Sequence, residues 1–351
     1  VLPEVPGDSV LHHARHDHFS TWLRARTEFS LAAIVRPRKA DEFDSVDELR
    51  AWLLDCFRRF RMESQRGVVA DFSRDQFDSS SDFTRIGGGS LGGKARGLAF
   101  MNAVLNRYQV TDRFEGVSIE VPPTAVVATD VFDEFLDQGR LREQVLGAAV
   151  RDEDVVRLFL DHRLPERVIG DLRAFLEQVH YPIAVRSSSL LEDSQYQPFA
   201  GVYATYMLPN SHEDIGVRLD QLCDAIKLVY ASVFQQSARA YLEASGSRVE
   251  EEKMAVVIQE VVGNRHENYV YPDFAGVAHS TDFYPAPGHD PADGVVCAAL
   301  GLGRTVVDGG NALRFNPRQP TKILQFATID DWLQGSQRQF LAVDVSQADA
   351  Y

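Results

Sequence analysis

The segment "RIGGGSLGGKARGLAF", residues 85–100, constrains the fold of this chain more tightly than any other stretch. Five of the seven residues from Gly87 to Gly93 are glycine, and Lys94 follows at once. Glycines let backbone N–H groups approach an anion closely, and the N-terminus of a helix adds partial positive charge. The segment therefore predicts a phosphate-binding loop that leads into a helix. The competing interpretation is a flexible linker that ends at a helix.

The loop has the glycine spacing of the Walker phosphate-binding motif but lacks its last residue. Gly88, Gly93 and Lys94 stand at the required positions, and Ala95 occupies the place of the Ser or Thr that holds magnesium. A methyl group cannot coordinate a metal ion, so the Walker interpretation fails.

The loop also matches the dinucleotide-binding pattern G-x-G-x-x-G through Gly87, Gly89 and Gly92. That pattern indicates a dinucleotide site only where a buried hydrophobic strand leads into it. The preceding "FDSSSDFTRI" is polar and rich in serine. We therefore predict no buried parallel strand there, and the dinucleotide interpretation is weak.

A helix is predicted directly after the glycines. Leu98, Met101, Leu105 and Tyr108 recur at helical spacing. Lys94 falls in the first turn, where a positive charge opposes the helix dipole. This position suggests that the lysine serves a ligand rather than the helix.

Composition excludes several classes of protein. The chain has 351 residues and a net charge of −15, and its only basic stretch is the short "RRFRMESQR", so we expect no nucleic-acid partner. Its three cysteines lie far apart without disulfide or zinc spacing, which suits a reducing cytoplasm. No apolar run reaches membrane-spanning length and no signal peptide is visible, so we expect no membrane partner. Val1 and the ending "VSQADAY" suggest a piece of a longer polypeptide.

The pattern of apolar residues divides the chain into a helical beginning and a mixed remainder. Residues 1 to about 85 favour helices, and Ser45 with Glu48 forms a capping box before one of them. The serine-rich "DSSSD" is the best linker. Helices are then predicted near 131–138, 153–161, 166–179 and 213–244. Strands are predicted in "PIAV", "GVYATYML", "MAVVIQEVV", "FAGVAHS" and "GVVCAALGLG". Interleaved strands and helices indicate an α/β or α+β fold.

A second motif lies in "YPIAVRSSSLLEDSQYQPFAGVYATYML", residues 181–208. Arg186 stands where a buried strand meets a loop, and a guanidinium placed there can grip phosphate oxygens through two parallel hydrogen bonds. Gly201, in "FAG", returns the chain into a strand and allows close approach of the backbone.

The two motifs together resemble a known family. "SLGGKARGL", "VPPTAVV" and "AVRSSSLLEDSQYQPFAGVYATY" are similar to the nucleotide-binding domain of pyruvate phosphate dikinase and phosphoenolpyruvate synthase, a group that includes rifampicin phosphotransferase. The resemblance continues through "MAVVIQEVV", "FAGVAHSTD" and "AALGLGRTVVDGG" and covers roughly residues 86–315.

The resemblance implies an α+β chain with an ATP-grasp fold, in which two lobes clamp ATP. We expect a helical N-terminal extension over 1–85, a first lobe with the glycine loop over 86–180 and a second lobe over 181–320. The remainder, 321–351, would begin a truncated C-terminal part.

The resemblance also assigns ligands and site residues. ATP and Mg²⁺ are the implied cofactors, and Lys94 and Arg186 are the implied catalytic residues that hold ATP phosphates. The implied nucleotide-binding residues are Gly92, Gly93, Lys94, Arg186, Gly201, Thr205 and Gln259. The family places its metal ligands in an Asp-x-Glu and a later Gln-x-Arg, for which no match occurs before Tyr351. The metal ligands therefore stay unassigned.

Two functions remain open. The first is a phosphotransferase that cleaves ATP, phosphorylates a histidine on a separate domain and passes the phosphoryl group to pyruvate or a related acceptor. Phosphohistidine and pyruvate-binding domains are then expected in the full-length chain. The second is a regulatory module that senses nucleotide without turnover. Arg304, where relatives often carry Glu, and the N-terminal extension favour the second; Lys94 and Arg186 favour the first.

Other candidate residues have more ordinary interpretations. Glu192 and Asp193 could be acid–base groups, but a solvated turn or a salt bridge to Arg186 explains them better. Tyr181 and Phe199 are better explained as core residues than as adenine stackers.

Four histidines, His12, His13, His16 and His18, could bind a metal because His12 and His16 share a helix face. No carboxylate or cysteine is fixed nearby by the sequence, so ordinary surface histidines explain the cluster better.

The loop interpretation predicts that this chain binds ATP more tightly than it binds NAD. Lys94→Ala should weaken ATP binding, because the lysine supplies positive charge to the phosphates. Isothermal titration calorimetry measures both affinities. Identical titration curves for the wild type and the variant would remove the loop from the site.

Overall fold

The structure is a computed structural model that describes residues 2–65, 67–75, 77, 83–146, 150–189, 201–245, 248–307 and 309–348. The chain forms two compact units. The first unit lies within Val1–Ala70 and Ala99–Glu120, and the second within Asp71–Ser79, Phe83–Leu98 and Val121–Tyr351. The expected domain boundaries at 85, 180 and 320 stay predictions.

The N-terminal part of the first unit consists of helices around a small core. The helices are α1 (Gly7–Arg15), α2 (His18–Ala25), α3 (Phe29–Val35) and α4 (Val46–Gln65). Their buried apolar residues are Val10, Leu23, Leu31, Ala32, Val35, Ala40, Leu49, Leu53 and Cys56. The predicted helices are therefore present.

The predicted cap of α4 is present in a modified form. The Glu48 N–H donates to Ser45 Oγ at 3.1 Å, as a capping box requires. The Glu48 carboxylate, however, accepts a hydrogen bond from the N–H of Asp44 at 2.8 Å, one residue further upstream than Ser45.

The first sheet of the chain has six strands. They are β1 (Ala70–Asp71), β2 (Phe83–Ile86), β3 (Thr124–Val127), β4 (Ile183–Ser189), β5 (Thr205–Leu208) and β6 (Met254–Glu260), and their order is β1-β2-β3-β6-β4-β5. Strand β2 is parallel to β3, and the pairs β3–β6, β6–β4 and β4–β5 are antiparallel. A mixed sheet of this kind brings strands that lie far apart in the sequence side by side.

Helices α5–α11 follow and interleave with these strands. They are α5 (Gly92–Arg107), α6 (Thr129–Gln138), α7 (Leu141–Val145), α8 (Asp152–Asp161), α9 (Glu166–Gln178), α10 (Ile215–Ser232) and α11 (Gln236–Ala244). The predicted helix over 213–244 is thus two helices. Apolar faces of α6–α11 pack with the sheet in the main core, and the half-buried Tyr181 packs against it as expected.

Two small antiparallel sheets complete the second unit. One contains β9 (Ala275–His279), β10 (Val295–Ala299) and β11 (Leu313–Phe315); the other contains β7 (Asn264–His266), β8 (Tyr269–Tyr271) and β12 (Val343–Asp344). Two short helices, α12 (Arg304–Val307) and α13 (Ile329–Gly335), lie near them in sequence. The described helices and mixed sheets confirm a mixed helix-and-strand fold; the two-lobed ATP-grasp arrangement stays a proposal.

The prediction that no buried strand precedes the glycines is wrong. The last four residues of the lead-in form β2, in which Phe83, Thr84 and Ile86 are buried and which pairs in parallel with β3. The strand is short and half polar, so its pattern does not stand out, and its pairing with β3 decides its conformation. The linker "DSSSD" lies outside the described residues.

The composition also leads to predictions about the cysteines and about membrane-spanning helices. The three cysteines Cys56, Cys223 and Cys297 are all free thiols. Among the described helices, none is both long and apolar enough to cross a membrane.

Leu53 tests the core of the first unit. Leu53 is 1% exposed, so Leu53→Ala should lower the free energy of unfolding by roughly 2–5 kcal/mol. Phe29, on α3, is 64% exposed, and Phe29→Ala should change stability by no more than about 0.5 kcal/mol. Urea denaturation followed by circular dichroism measures both. Equal effects of the two substitutions would contradict the assignment of Leu53 to the core.

Candidate functional site

One face of the six-stranded sheet carries three of the predicted site residues. Ile183, Val185, Val256 and Ile258 belong to the main core. Because side chains alternate between the two faces of a sheet, Arg186 of β4 and Gln259 of β6 lie on the opposite face.

Strand register places Thr205 on that face as well. Thr205 of β5 is directly opposite Arg186, and Gln259 is opposite Ala184, the residue two positions before Arg186. Directly paired residues of antiparallel strands point to the same side of the sheet. Three strands therefore present Thr205, Arg186 and Gln259 together.

A chain of hydrogen bonds fixes the Gln259 side chain. Arg186 Nη1 donates to Gln259 Oε1 at 3.4 Å, and Gln259 Nε2 donates to Thr124 Oγ1 at 3.0 Å. The hydroxyl of Thr124 in turn donates to the carbonyl of Pro122 at 2.7 Å. Gln259 is only 7% exposed, and its amide has a defined orientation because both ends are bonded.

Helix α5 lies in direct contact with strand β4 at Ser188. The Ser188 hydroxyl accepts a hydrogen bond from the Ala95 N–H at 3.0 Å and donates to the Leu91 carbonyl at 2.8 Å. Gly92 has φ +72°, and a Cβ at this position would lie 1.8 Å from the Ser188 carbonyl oxygen. Gly92 is therefore required by the close approach of the two backbones.

The same contact places Lys94 against strand β4. Lys94 is the third residue of α5 and is half-buried, and its Nζ lies 3.4 Å from the hydroxyl oxygen of Ser187. Ser187 directly follows Arg186, which is also half-buried. Lys94 therefore contacts the residue that directly follows Arg186 in β4.

The first half of the glycine loop is held by the start of α6. The N–H groups of Gly88 and Gly89 donate to the two carboxylate oxygens of Asp130 at 2.9 and 3.0 Å. The N–H of Ser90 donates to Thr129 Oγ1 at 3.0 Å. A Cβ at Gly87 would lie 2.6 Å from an Asp130 oxygen, and a Cβ at Gly89 would lie 2.5 Å from the Asp130 nitrogen.

The sequence did not identify Thr129 and Asp130 as partners of the loop. The only signal was a threonine and an acid at the start of a helix that follows a buried strand, a pattern typical of any helix N-terminus. These glycines therefore fit closely around a carboxylate of the protein itself. Glycine spacing alone does not show whether a loop holds such a carboxylate or a phosphate.

The surroundings of Asp130 stabilise its negative charge. Burial by itself raises the pKa of its carboxyl group. The hydrogen bonds from Gly88 and Gly89 and the positive charge of Arg167 outweigh that effect and hold the pKa below the ordinary 3.8. Arg167 Nη2 lies 3.5 Å from Asp130 Oδ2 and 2.6 Å from Glu134 Oε2. Asp130 is therefore a carboxylate at neutral pH.

The sequence also singles out Gly93, Gly201 and Arg304. Gly93 is buried in the first turn of α5. Gly201 is exposed and has φ +78°, which favours glycine, but a Cβ there would meet no atom within 4 Å. Arg304 is exposed at the start of α12. The roles of these residues in binding stay predictions, and Glu192, Asp193 and Phe199 lie outside the described residues.

No magnesium ligands are assigned among the described residues. Mg²⁺ is held by oxygen ligands, chiefly carboxylates and water. Within the described parts of the chain, one group of three or more His, Cys, Asp or Glu side chains can converge on an ion, and it consists of histidines of the first unit. No step of the chemistry below is routed through magnesium.

Comparison with known proteins identifies the family. Residues 89–334 match the family model of the pyruvate phosphate dikinase AMP/ATP-binding domain. The chain belongs to this family. The resemblance drawn from the glycine loop and the V-R-S-S motif is confirmed, and the match extends beyond the 86–315 range at its C-terminal end.

Curated relatives of this chain are longer and distant. It is 25% identical over 191 residues to the uncharacterized phosphotransferase YvkC of Bacillus subtilis, covering 54% of this chain and 20% of YvkC. It is 27% identical over 212 residues to a probable phosphoenolpyruvate synthase of Staphylothermus marinus, covering 54% and 23%. It is 28% identical over 231 residues to the prodigiosin synthesizing transferase PigC of Serratia marcescens, covering 62% and 21%. The matched region thus spans about a fifth of each relative.

The Asp130 contact predicts a pH-dependent contribution to stability. Asp130→Asn should lower the free energy of unfolding at pH 6 by roughly 1–2 kcal/mol, because an amide offers one acceptor oxygen to two N–H donors. A depressed carboxyl pKa stabilises the fold above the ordinary value of 3.8 and loses that effect as pH falls through the folded value. The difference between wild type and variant should therefore shrink below pH 3.8.

Urea denaturation at pH 6 and pH 3 tests this prediction. Asp273→Asn is the matched control, since Asp273 is an exposed carboxyl group of the same unit. A difference between wild type and Asp130→Asn that stays constant over this pH range would contradict the charged contact.

Proposed function

We propose that this chain is the ATP-binding domain of a phosphotransferase of the phosphoenolpyruvate synthase and pyruvate phosphate dikinase type. One observation carries the proposal: α5 places Lys94 against Ser187, the residue that directly follows Arg186 in β4. In this proposal the two side chains hold the phosphates of ATP.

The chemistry of phosphoryl transfer suits these residues. Transfer depends mainly on positioning the phosphoryl group and neutralising the charge that spreads over its oxygens. A guanidinium can donate two parallel hydrogen bonds to phosphate oxygens, and an ammonium adds a compact positive charge. Arg186 and Lys94 supply one of each from half-buried positions, where charge is screened less than at an open surface.

The neighbours of Arg186 would bind the rest of the nucleotide. Thr205 offers a hydroxyl on the same face of the sheet, and Gln259 offers an amide whose orientation is fixed through Thr124. Gly92 and Gly93 place the start of α5 beside β4, so the positive end of the helix dipole adds to the field around the phosphates. Gly201, which lies four residues before the start of β5, would border the nucleotide.

The reaction proposed for the parent protein has two transfers. The bond between the transferred phosphoryl group of ATP and its leaving phosphate oxygen breaks, and a bond forms to a histidine nitrogen on a separate domain. The phosphohistidine then passes the group to an oxygen of pyruvate or a related acceptor. Closure of an ATP-grasp clamp, with lobes over 86–180 and 181–320, would exclude water during the first step. A cytoplasmic location suits this use of ATP.

A nucleotide-sensing module without turnover is the second candidate. Two features favour it: Arg304 stands where the resemblance leads us to expect Glu, and a helical N-terminal segment precedes the matched region. In this candidate Lys94 and Arg186 bind phosphate in the same way, but no acceptor histidine is needed.

Turnover separates the two candidates. Residues 1–351 alone should bind ATP weakly and should not consume it at an enzyme-like rate, because they lack an assigned acceptor and metal ligands. The full-length protein should consume ATP in the presence of pyruvate and magnesium if it is an enzyme. Robust pyruvate-dependent turnover by residues 1–351 would show that the catalytic machinery has been misplaced.

Arg186 is tested in the same assay. Arg186→Ala in the full-length protein should lower kcat/KM by about 10²–10³-fold, the usual effect of removing a donor to a charge that develops in the transition state. Arg173→Ala is the matched control, because Arg173 on α9 is exposed and pairs only loosely with Glu177 at 3.9 Å. Equal activities of the two variants would remove Arg186 from the site.

A further inference from the structure

The imidazoles of the first unit gather at the junction of α1 and α2. His12 and His13 lie in the last turns of α1, and His18 is the first residue of α2. One ring nitrogen from each of these three residues lies within 4.8 Å of the other two. All three side chains are exposed, so an ion can reach them from solvent.

The backbone produces this convergence by reversing between the helices. Asp17 adopts the left-handed conformation, with φ 54°, and directly precedes α2. The carboxylate of Asp17 is bonded to Lys39 Nζ at 2.8 and 2.9 Å, which holds the turn. The ring of His18 consequently returns to α1, with its centroid 5.2 Å from that of His13 and 5.9 Å from that of His12.

His16 supports the cluster from one side. Its Nδ1 is 2.8 Å from the carbonyl oxygen of His12, which fixes the orientation of the ring. The His16 ring lies 4.5 Å from the His12 ring and 5.4 Å from the His18 ring, centroid to centroid. His16 is not one of the three residues whose ring nitrogens converge. The pair predicted from a shared helix face, His12 and His16, is therefore not the pair that would bind an ion together.

The separations suit a transition-metal ion. Zn–N bonds are about 2.0–2.1 Å long, so two nitrogens on one tetrahedral ion are roughly 3.4 Å apart. His13 Nδ1 and His18 Nδ1 are 2.9 Å apart, and the full set lies within 4.8 Å. Rotation of exposed side chains covers the remaining difference. Imidazole donors select zinc, copper and nickel over magnesium and calcium.

We propose that His12, His13 and His18 form a binding site for a divalent transition-metal ion of the zinc class. Three protein ligands leave the rest of the coordination sphere to water or to a donor from another molecule. The site consists of residues of the first unit and is independent of the proposed ATP-binding function.

Titration of the metal-free protein with Zn²⁺ tests this site. Protein treated with a chelator and then dialysed should bind one equivalent of Zn²⁺ with the highest affinity in isothermal titration calorimetry, whereas Mg²⁺ at the same concentration should not occupy the site. His12→Gln, His13→Gln and His18→Gln should each weaken that binding at least tenfold. His180→Gln is the matched control, since His180 is an exposed imidazole of the second unit, and it should leave binding unchanged.

Thermal unfolding gives a second readout. An ion that binds only the folded state raises the unfolding temperature, so Zn²⁺ should raise it for the wild type and for His180→Gln but not for the variant that lacks all three histidines. Circular dichroism of each metal-free variant shows whether α1 and α2 are retained; should one variant lose its helices, the other two decide. Wild-type affinity in His18→Gln, or stoichiometric uptake by the triple variant, would overturn the proposal.

Discussion

The contact between Gly92 and the carbonyl oxygen of Ser188 is the constraint on which the candidate site depends. No side chain fits between these two backbones, and any residue other than glycine would push the start of α5 away from β4. The hydroxyl of Ser188 reinforces the contact with hydrogen bonds to Leu91 and Ala95. Since Ser188 lies two residues after Arg186, the strand that positions the guanidinium also positions the helix that carries Lys94.

Asp130 makes a second set of contacts that hold the glycine loop. Backbone N–H groups need hydrogen-bond partners, and an acid in the first turn of a helix is itself favoured by the helix dipole. Asp130 meets both requirements by accepting hydrogen bonds from Gly88 and Gly89. These hydrogen bonds give the loop a defined shape. In the proposed site, the phosphates are then held chiefly by the side chains of Lys94 and Arg186, which suits a loop without the Walker hydroxyl.

Much of the secondary structure could be predicted from the sequence because it is encoded locally. The helix after the glycines is present where its pattern indicates it. Strand β4 includes most of the predicted "PIAV" but continues to Ser189, so Arg186 lies in its middle and not where the strand meets a loop. The apolar spacing after the glycines predicts the helix correctly but not its buried face, because Met101 is 49% exposed and Tyr108, just beyond the helix, is 68% exposed. Local periodicity identifies the element, whereas tertiary packing decides which residues it covers.

The features that escaped sequence reasoning depend on pairing over long distances along the chain. Strand β2 is short and half polar, and it becomes recognisable only beside β3. Thr205 and Gln259 look like ordinary strand residues until register places them beside Arg186. Asp130 resembles any acid in the first turn of a helix until its partners are known. Contacts between residues that lie far apart in the sequence leave no local pattern from which to predict them.

Burial of an arginine does not by itself indicate a ligand, as Arg218 shows. Arg218 is only 6% exposed, and its Nη1 donates to the carbonyls of Leu176 and Val179 at 3.2 and 3.1 Å. These carbonyls lie at the end of α9, so Arg218 caps that helix. Arg186 differs in its surroundings rather than in its burial. It shares a face of the sheet with a threonine and a glutamine, and it directly precedes the two serines that receive α5. The surroundings of Arg186, and not its burial, therefore indicate a nucleotide site.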